Sequence, residues 1–305
     1  MIEARSLTKR YENKTAVDDL TFDVRPGIVT GFLGPNGAGK TTTMRMILGV
    51  ETPSSGAVTV GGRRYTDVPA PMREVGALLD ARAAHAGRKA YDHLLCLAYS
   101  NGIPRGRVDE VLGLVGLEKA AGWRIGTFSL GMGQRLGIAA ALLGDPGILM
   151  LDEPANGLDP EGIVWIRTLM RDLAAEGRTV LVSSHLMAEM ALTADHLLVI
   201  GRGRIIADTS VDAFMRANAP HSVLVRVDEP AAFAAHLARA GAVVHNGTEG
   251  ALLVSGTDSA EIGKLAAATG TVLSELTPQR TSLEEAFMKL TGGAGEFRSS
   301  GGEGR

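Results

Sequence analysis

The residues Gly34-Pro35-Asn36-Gly37-Ala38-Gly39-Lys40-Thr41-Thr42 combine glycines, a cation and hydroxyls at a spacing that can cradle phosphate groups. Glycine backbones at 34, 37 and 39 can turn with their N–H groups pointing inward, where a side chain would intrude. A helix-competent run, Lys40 to Leu48, follows, and a helix N-terminus adds roughly half a positive charge where phosphate would sit. Lys40 supplies a full charge for β- and γ-phosphates, and Thr41 offers a hydroxyl to Mg²⁺. Downstream, the apolar run Ile148-Leu149-Met150-Leu151 ends on Asp152-Glu153, which places both carboxylates at the carboxyl edge of a sheet. Asp152 suits a Mg²⁺ carboxylate, and Glu153 can polarise a water for in-line attack on a γ-phosphate. This pattern implies a nucleoside triphosphate site.

Such groups need strands and helices to aim them. Val29 to Leu33 reads as a short buried strand before the glycine loop. Residues 1–33 read as β-rich, with Leu20, Phe22 and Val24 alternating with polar neighbours before the turn Arg25-Pro26-Gly27. Tyr11 lies in this region, as a half-buried strand aromatic or as a stacking platform for a base. Val75–Leu79 reads as a strand ending at Asp80, and residues 81–126 turn helical, like an insertion in an α/β protein. From Gly147 the alternation resumes: strand Ile148–Leu151, helix from Pro160, strand Thr179–Ser183, helix from His185. These strands are continuously apolar, as in a parallel sheet covered on both faces. Leu197–Ile200 and Gly203–Ala207 read as a closing hairpin. Beyond residue 216 the order becomes β-α-β-β-α-β, a ferredoxin-like arrangement without a catalytic cluster. Ser282–Leu290 reads as a helix opened by a Ser-Leu-Glu-Glu cap, and residues 291–305, rich in Gly and Ser, as a disordered tail.

Bulk properties narrow the class. The 305 residues can bury one large core and a small one. A net charge of -3 argues against a dedicated nucleic-acid binder. The single cysteine, Cys96, permits no internal disulfide, suits a reducing compartment, and reads as buried filler among Leu94, Leu95 and Leu97. Without a signal-peptide pattern or a run of about 18 apolar residues, a cytoplasmic chain that spans no membrane is expected.

On these motifs residues 1–215 resemble the nucleotide-binding subunit of an ATP-binding-cassette (ABC) transporter. Gly34–Thr41 matches Walker A, Ile148–Asp152 Walker B, and Glu153 the catalytic glutamate. Asn156-Gly157-Leu158-Asp159 matches the D-loop, His185 the switch histidine at the γ-phosphate, and Tyr11 the adenine-stacking aromatic. The resemblance implies an α/β fold, a phosphate-loop NTPase of ABC type with a helical subdomain at about 81–143, plus a small α+β module at 216–290. It also implies ATP and Mg²⁺ as cofactors, a second nucleotide-binding subunit, an integral-membrane permease, and a peripheral place on the cytoplasmic face of the membrane.

The chain departs from the family twice. Phe128-Ser129-Leu130-Gly131-Met132-Gly133-Gln134-Arg135 fills the signature, with Leu130 replacing a glycine and Met132 a glutamine. The segment reads as opening a helix at Gly133, so that Ser129 and the N–H groups of Gly131 and Met132 face a phosphate held by the partner subunit, with Leu130 at negative φ. Asp80 stands where the family has the glutamine of the Q-loop, a Mg²⁺ contact. Both departures, and the tail module, resemble the branch of drug- and antibiotic-exporting cassettes with separate permeases. A soluble ABC ATPase of ribosomes or chromosomes is the alternative, disfavoured by the single phosphate loop and the lack of sustained heptads. A GTPase would need a guanine-reading aspartate that Asn13-Lys14-Thr15-Ala16 lacks, and a small-molecule kinase would have no use for the signature segment or His185.

Overall fold

A computed structural model describes residues 1–218, 222–247, 250–279 and 283–292, arranged in two compact units, Met1–Asp212 and Ala213–Arg305. The first unit opens with β1 (Ile2–Tyr11), β2 (Lys14–Val24), β3 (Val29–Leu33), α1 (Lys40–Ile47) and β4 (Ser55–Val60). There follow α2 (Pro71–Glu74), β5 (Val75–Leu78), α3 (Ala90–Ser100), α4 (Gly106–Leu114), α5 (Leu130–Leu142) and β6 (Ile148–Asp152). It closes with α6 (Pro160–Ala175), β7 (Thr179–Ser184), α7 (Met187–Thr193), β8 (His196–Gly201) and β9 (Arg204–Ser210), after which α8 (Val211–Asn218) crosses the boundary.

Two sheets sandwich the helix that follows the glycine loop. β2, β1 and β4 form an antiparallel sheet in the order β2-β1-β4, and the central sheet runs β5-β6-β7-β3-β8-β9. Neighbours from β5 to β8 are parallel, and β9 returns antiparallel on β8 as the expected hairpin. Every residue of β3 and of β7 is buried, which explains their unbroken apolar reading. One face of β3 sends Phe32 into a core with Leu20, Phe22, Met44, Ile47, Met150 and Ile200, so α1 is fixed from both sheets. On the opposite face, a Cβ at Gly31 would lie 2.4 Å from the Met190 sulfur, so α7 rests directly on the backbone of β3.

Three sequence expectations are corrected here. The signature helix starts at Leu130, not Gly133, because Ser129 caps it with its hydroxyl accepting from the Met132 N–H at 3.2 Å. Leucine at 130 favours helix where glycine would not. The helix after β7 starts at Met187, which leaves His185 in the connecting loop. Cys96 is exposed rather than buried: α3 buries the stripe Ala90, Leu94 and Ala98, and position 96 points the other way.

The second unit contains β10 (Ser222–Val227), α9 (Pro230–Arg239), β11 (Val243–Asn246), β12 (Leu252–Ser255), α10 (Ser259–Thr269), β13 (Leu273–Gln279) and α11 (Leu283–Gly292). Its antiparallel sheet runs β11-β12-β10-β13, the strand order of the ferredoxin-like arrangement. Phe233 and Leu237 of α9 pack with Val223, Val225, Val254 and Ile262. Phe233 is 1% exposed, so Phe233→Ala should cost this unit about 3–5 kcal/mol. Hydrogen exchange of the β10 and β12 amides checks this, and unchanged protection would contradict the packing. Ser282 and the tail from 293 to 305 lie outside the described residues. Among the described residues, no helix is long and apolar enough to cross a membrane.

Candidate functional site

The loop between β3 and α1 is shaped by close approaches. A Cβ at Gly34 would lie 2.3 Å from the Ile200 carbonyl oxygen, so glycine is required there by the neighbouring strand rather than by a turn. Gly39 does turn the chain, at φ +111, with the Ala16 carbonyl 2.6 Å from where a Cβ would stand. Lys40, 6% exposed, opens α1. Its Nζ donates to the Gly34 carbonyl at 2.6 Å and to the Pro35 carbonyl at 3.4 Å, and lies 3.7 Å from Glu153 Oε1. Burial pushes the Lys40 ammonium below the usual lysine range, opposed by the Glu153 and Asp152 carboxylates. The next hydroxyl, Thr41 Oγ1, donates to Asp152 Oδ2 at 2.6 Å.

β6 and β7 deliver the acidic end of the site in register. Asp152 pairs with Ser183 across the sheet, and the Ser183 hydroxyl donates to Asp152 Oδ1. The Glu153 N–H donates to Ser183 Oγ at 3.1 Å and to the Ser183 carbonyl at 3.2 Å. These bonds hold Glu153 at φ +51, a left-handed conformation that costs a non-glycine residue about 1–2 kcal/mol. The turned backbone aims the side chain away from Asp152. Glu153 Oε2 lies 2.7 Å from His185 Nδ1 and accepts from the His185 N–H at 3.4 Å. The carboxylate is thus suspended between a lysine and a histidine.

A cleft of about 810 Å³ opens beside these groups. Its walls include Tyr11, Pro35, Asn36, Gly37, Gly39, Lys40, Thr41, Thr42, Asp80, Asp152 and Glu153. Its charged lining balances Lys14, Lys40 and Arg82 against Asp80, Asp152 and Glu153. Tyr11 is 45% exposed, with Lys9 Nζ 5.2 Å from its ring centroid. Asp80 Oδ1 accepts from the Arg82 N–H at 2.8 Å, which turns that carboxylate along its own loop while bringing Arg82 to the cleft.

The signature divides. Leu130 and Gln134 line the cleft, whereas Ser129 and Gly131 are not among its lining residues and sit in the cap and first turn of α5. Leu130 has negative φ, as its replacement of glycine requires, and its side chain covers the backbone of Gly157, where a Cβ would lie 2.3 Å from Leu130 Cδ2. Ser183, Arg82 and the contact made by Gln134 carry no role in the sequence pattern. The polar end of an apolar strand, Ser183-Ser184, was the signal available for the first, and nothing in the spacing announced the other two.

The donor set at Thr41 and Asp152 is hydroxyl and carboxylate oxygen, the hard ligands that Mg²⁺ takes. Among the described residues, no three His, Cys, Asp or Glu side chains could hold a metal by themselves. A cation bound there with few protein ligands and several phosphate oxygens fits this arrangement.

Residues 17–156 match the family described as ABC transporter, and residues 221–284 match one described as a domain of unknown function, DUF8746. The bacitracin transport ATP-binding protein BcrA of Bacillus licheniformis is 36% identical over 301 residues, covering 96% of this chain and 98% of that protein. The lantibiotic transport ATP-binding protein SrtF of Streptococcus pyogenes is 34% identical, over 70% of this chain and 92% of that protein. A solved ATP-binding subunit of an ABC transporter superposes with TM-score 0.65 at 28% identity, covering 71% of this chain and 92% of that one. With likeness over nearly the whole length of a cassette subunit, the phosphate loop and its carboxylates have their explanation: the chain belongs to the ABC transporters, as an ATP-binding subunit with ATPase activity.

Proposed function

We propose that this chain hydrolyses Mg-ATP in the cleft beside α1 and thereby powers a separate membrane permease that exports peptide antibiotics or other hydrophobic compounds. The observation that carries the site is the Glu153 carboxylate held between Lys40 Nζ, at 3.7 Å, and His185 Nδ1, at 2.7 Å, beside the Thr41–Asp152 pair. Tyr11 is the platform for adenine, and the loop from Gly34 to Thr42, with Ala38 inside it, cradles the phosphates through its N–H groups. Glu153 takes the proton of the attacking water, and His185 orients that carboxylate and meets the γ-phosphate. Thr41 and Asp152 would hold Mg²⁺, with Asp80 on the cleft wall as a further oxygen donor. The ion, when bound, neutralises charge on the β- and γ-phosphate oxygens.

Ser129 and Gly131 open a helix whose first N–H groups have no intrahelical acceptor, and we assign them to the ATP of a second cassette. The names of the relatives, bacitracin and lantibiotic transport proteins, support the antibiotic-transporting branch, and a place on the cytoplasmic face of the membrane belongs to the same reading. Residues 1–215 form the cassette in this reading, with residues 81–143 as the helical part, and 216–290 as an accessory module that docks or regulates. Co-expression with the cognate permease should raise resistance to peptide antibiotics. Unchanged resistance in cells whose complex still hydrolyses ATP would reject the export reading.

The Asp80 departure has its own expected outcome. Asp80 adds a negative charge to a cleft that already contains Asp152 and Glu153 and must accept a triphosphate. Asp80→Gln should therefore raise the basal turnover of the free subunit and reduce its stimulation by the permease. ATPase assays with and without permease measure both, and two unchanged values would make Asp80 a neutral replacement.

A further inference from the structure

Gln134 makes a contact that the family-level reading leaves without a purpose. It lies in the second turn of α5, is 5% exposed, and donates from Nε2 to the main-chain carbonyl of Glu153 at 3.1 Å. That carbonyl also accepts from the Asn156 N–H at 3.1 Å. Both peptide groups of Glu153 are therefore clamped, the N–H by Ser183 of β7 and the carbonyl by α5 and the following loop. The residue between them stands at φ +51, in the left-handed region that a glutamate seldom adopts. If the carbonyl clamp is lost, the backbone can relax toward negative φ, and rotation about that bond swings the side chain away from His185 and Lys40.

We infer that Gln134 is a positioning residue: it holds the peptide of Glu153 in the left-handed conformation that aims the carboxylate, and it joins that carboxylate to the helix capped by Ser129. This rests on the reading of Glu153 as the base. The helix is a rigid element, so a displacement of its N-terminus by a phosphate on the partner subunit reaches the Glu153 carbonyl through a single side chain. A neutral amide suits the role, because its N–H donor serves the carbonyl without placing another charge beside Lys40, Asp152 and Glu153.

The test uses the full chain and steady-state ATP hydrolysis. Gln134→Met keeps the length and removes the donors, and should lower kcat about tenfold or more while KM for ATP stays within about twofold. Gln134→His restores an N–H at similar reach and should recover kcat to within about threefold of wild type. Added to Glu153→Gln, the methionine variant should produce no further loss, since there is no base left to aim. Wild-type kcat in Gln134→Met, beside an inactive Glu153→Gln, would overturn the inference while leaving the base reading intact. Equal losses in the methionine and histidine variants, or a further loss in the double variant, would also overturn it. Wild-type turnover in Glu153→Gln itself would refute the base, a failure distinguishable from the others.

Discussion

Lys40→Ala should abolish ATP binding while the protein remains folded. Lys40 is 6% exposed, its ammonium is anchored by the Gly34 carbonyl at 2.6 Å, and its protonated state is opposed by burial. A triphosphate is the partner that compensates for that burial, because its oxygens replace the water that the ammonium has lost. Alanine removes this cation and leaves Asp152 and Glu153 facing the phosphates. Charge-assisted hydrogen bonds contribute about 1.5–3 kcal/mol each, so affinity should fall at least about tenfold, with one lost bond, and further with two. Titration calorimetry against Mg-ATP measures the loss, and thermal unfolding of the unliganded variant verifies the fold. A loss smaller than about tenfold would remove Lys40 from the phosphate site.

Glu153→Gln should bind ATP and fail to hydrolyse it. An amide keeps the volume and can stay near His185, but it cannot take a proton from water. Loss of a general base lowers turnover by about 10²–10⁴-fold. Binding should survive, because Lys40, Thr41 and the loop N–H groups are untouched, and relief of a negative charge 3.7 Å from Lys40 leaves that cation to the nucleotide alone. The variant should therefore accumulate as an ATP-bound dimer on size-exclusion chromatography with ATP and Mg²⁺. Turnover like that of wild type would eliminate Glu153 as the base. A variant that neither binds nor dimerises would instead place the carboxylate in nucleotide binding.

The parts of this site legible in the sequence are those whose chemistry is local. Gly34 to Thr42 must act as one loop between one strand and one helix, so their types and spacing are sufficient to read them. Asp152 and Glu153 are legible because an unbroken apolar run must be a covered strand, and such strands present ligands at their carboxyl ends. The β-α-β-β-α-β order of the second unit is visible for the same reason, since each element is one continuous pattern.

Tertiary structure alone decides what lies opposite what. The register of β6 on β7 brings Ser183 to Asp152 and His185 to Glu153, residues about thirty positions apart that no local spacing relates. It also holds Glu153 at φ +51, a conformation that glutamate does not choose and that only its clamped peptide groups maintain. Cys96 shows the converse, since its apolar neighbours in sequence say less about burial than the face of α3 on which it falls. Residue types and short spacings determined by themselves that this chain has a phosphate loop, two carboxylates and strands to carry them. The aim of the Glu153 carboxylate was decided by packing, because it depends on a torsion set by hydrogen bonds to Gln134 and Ser183, on elements distant in the chain.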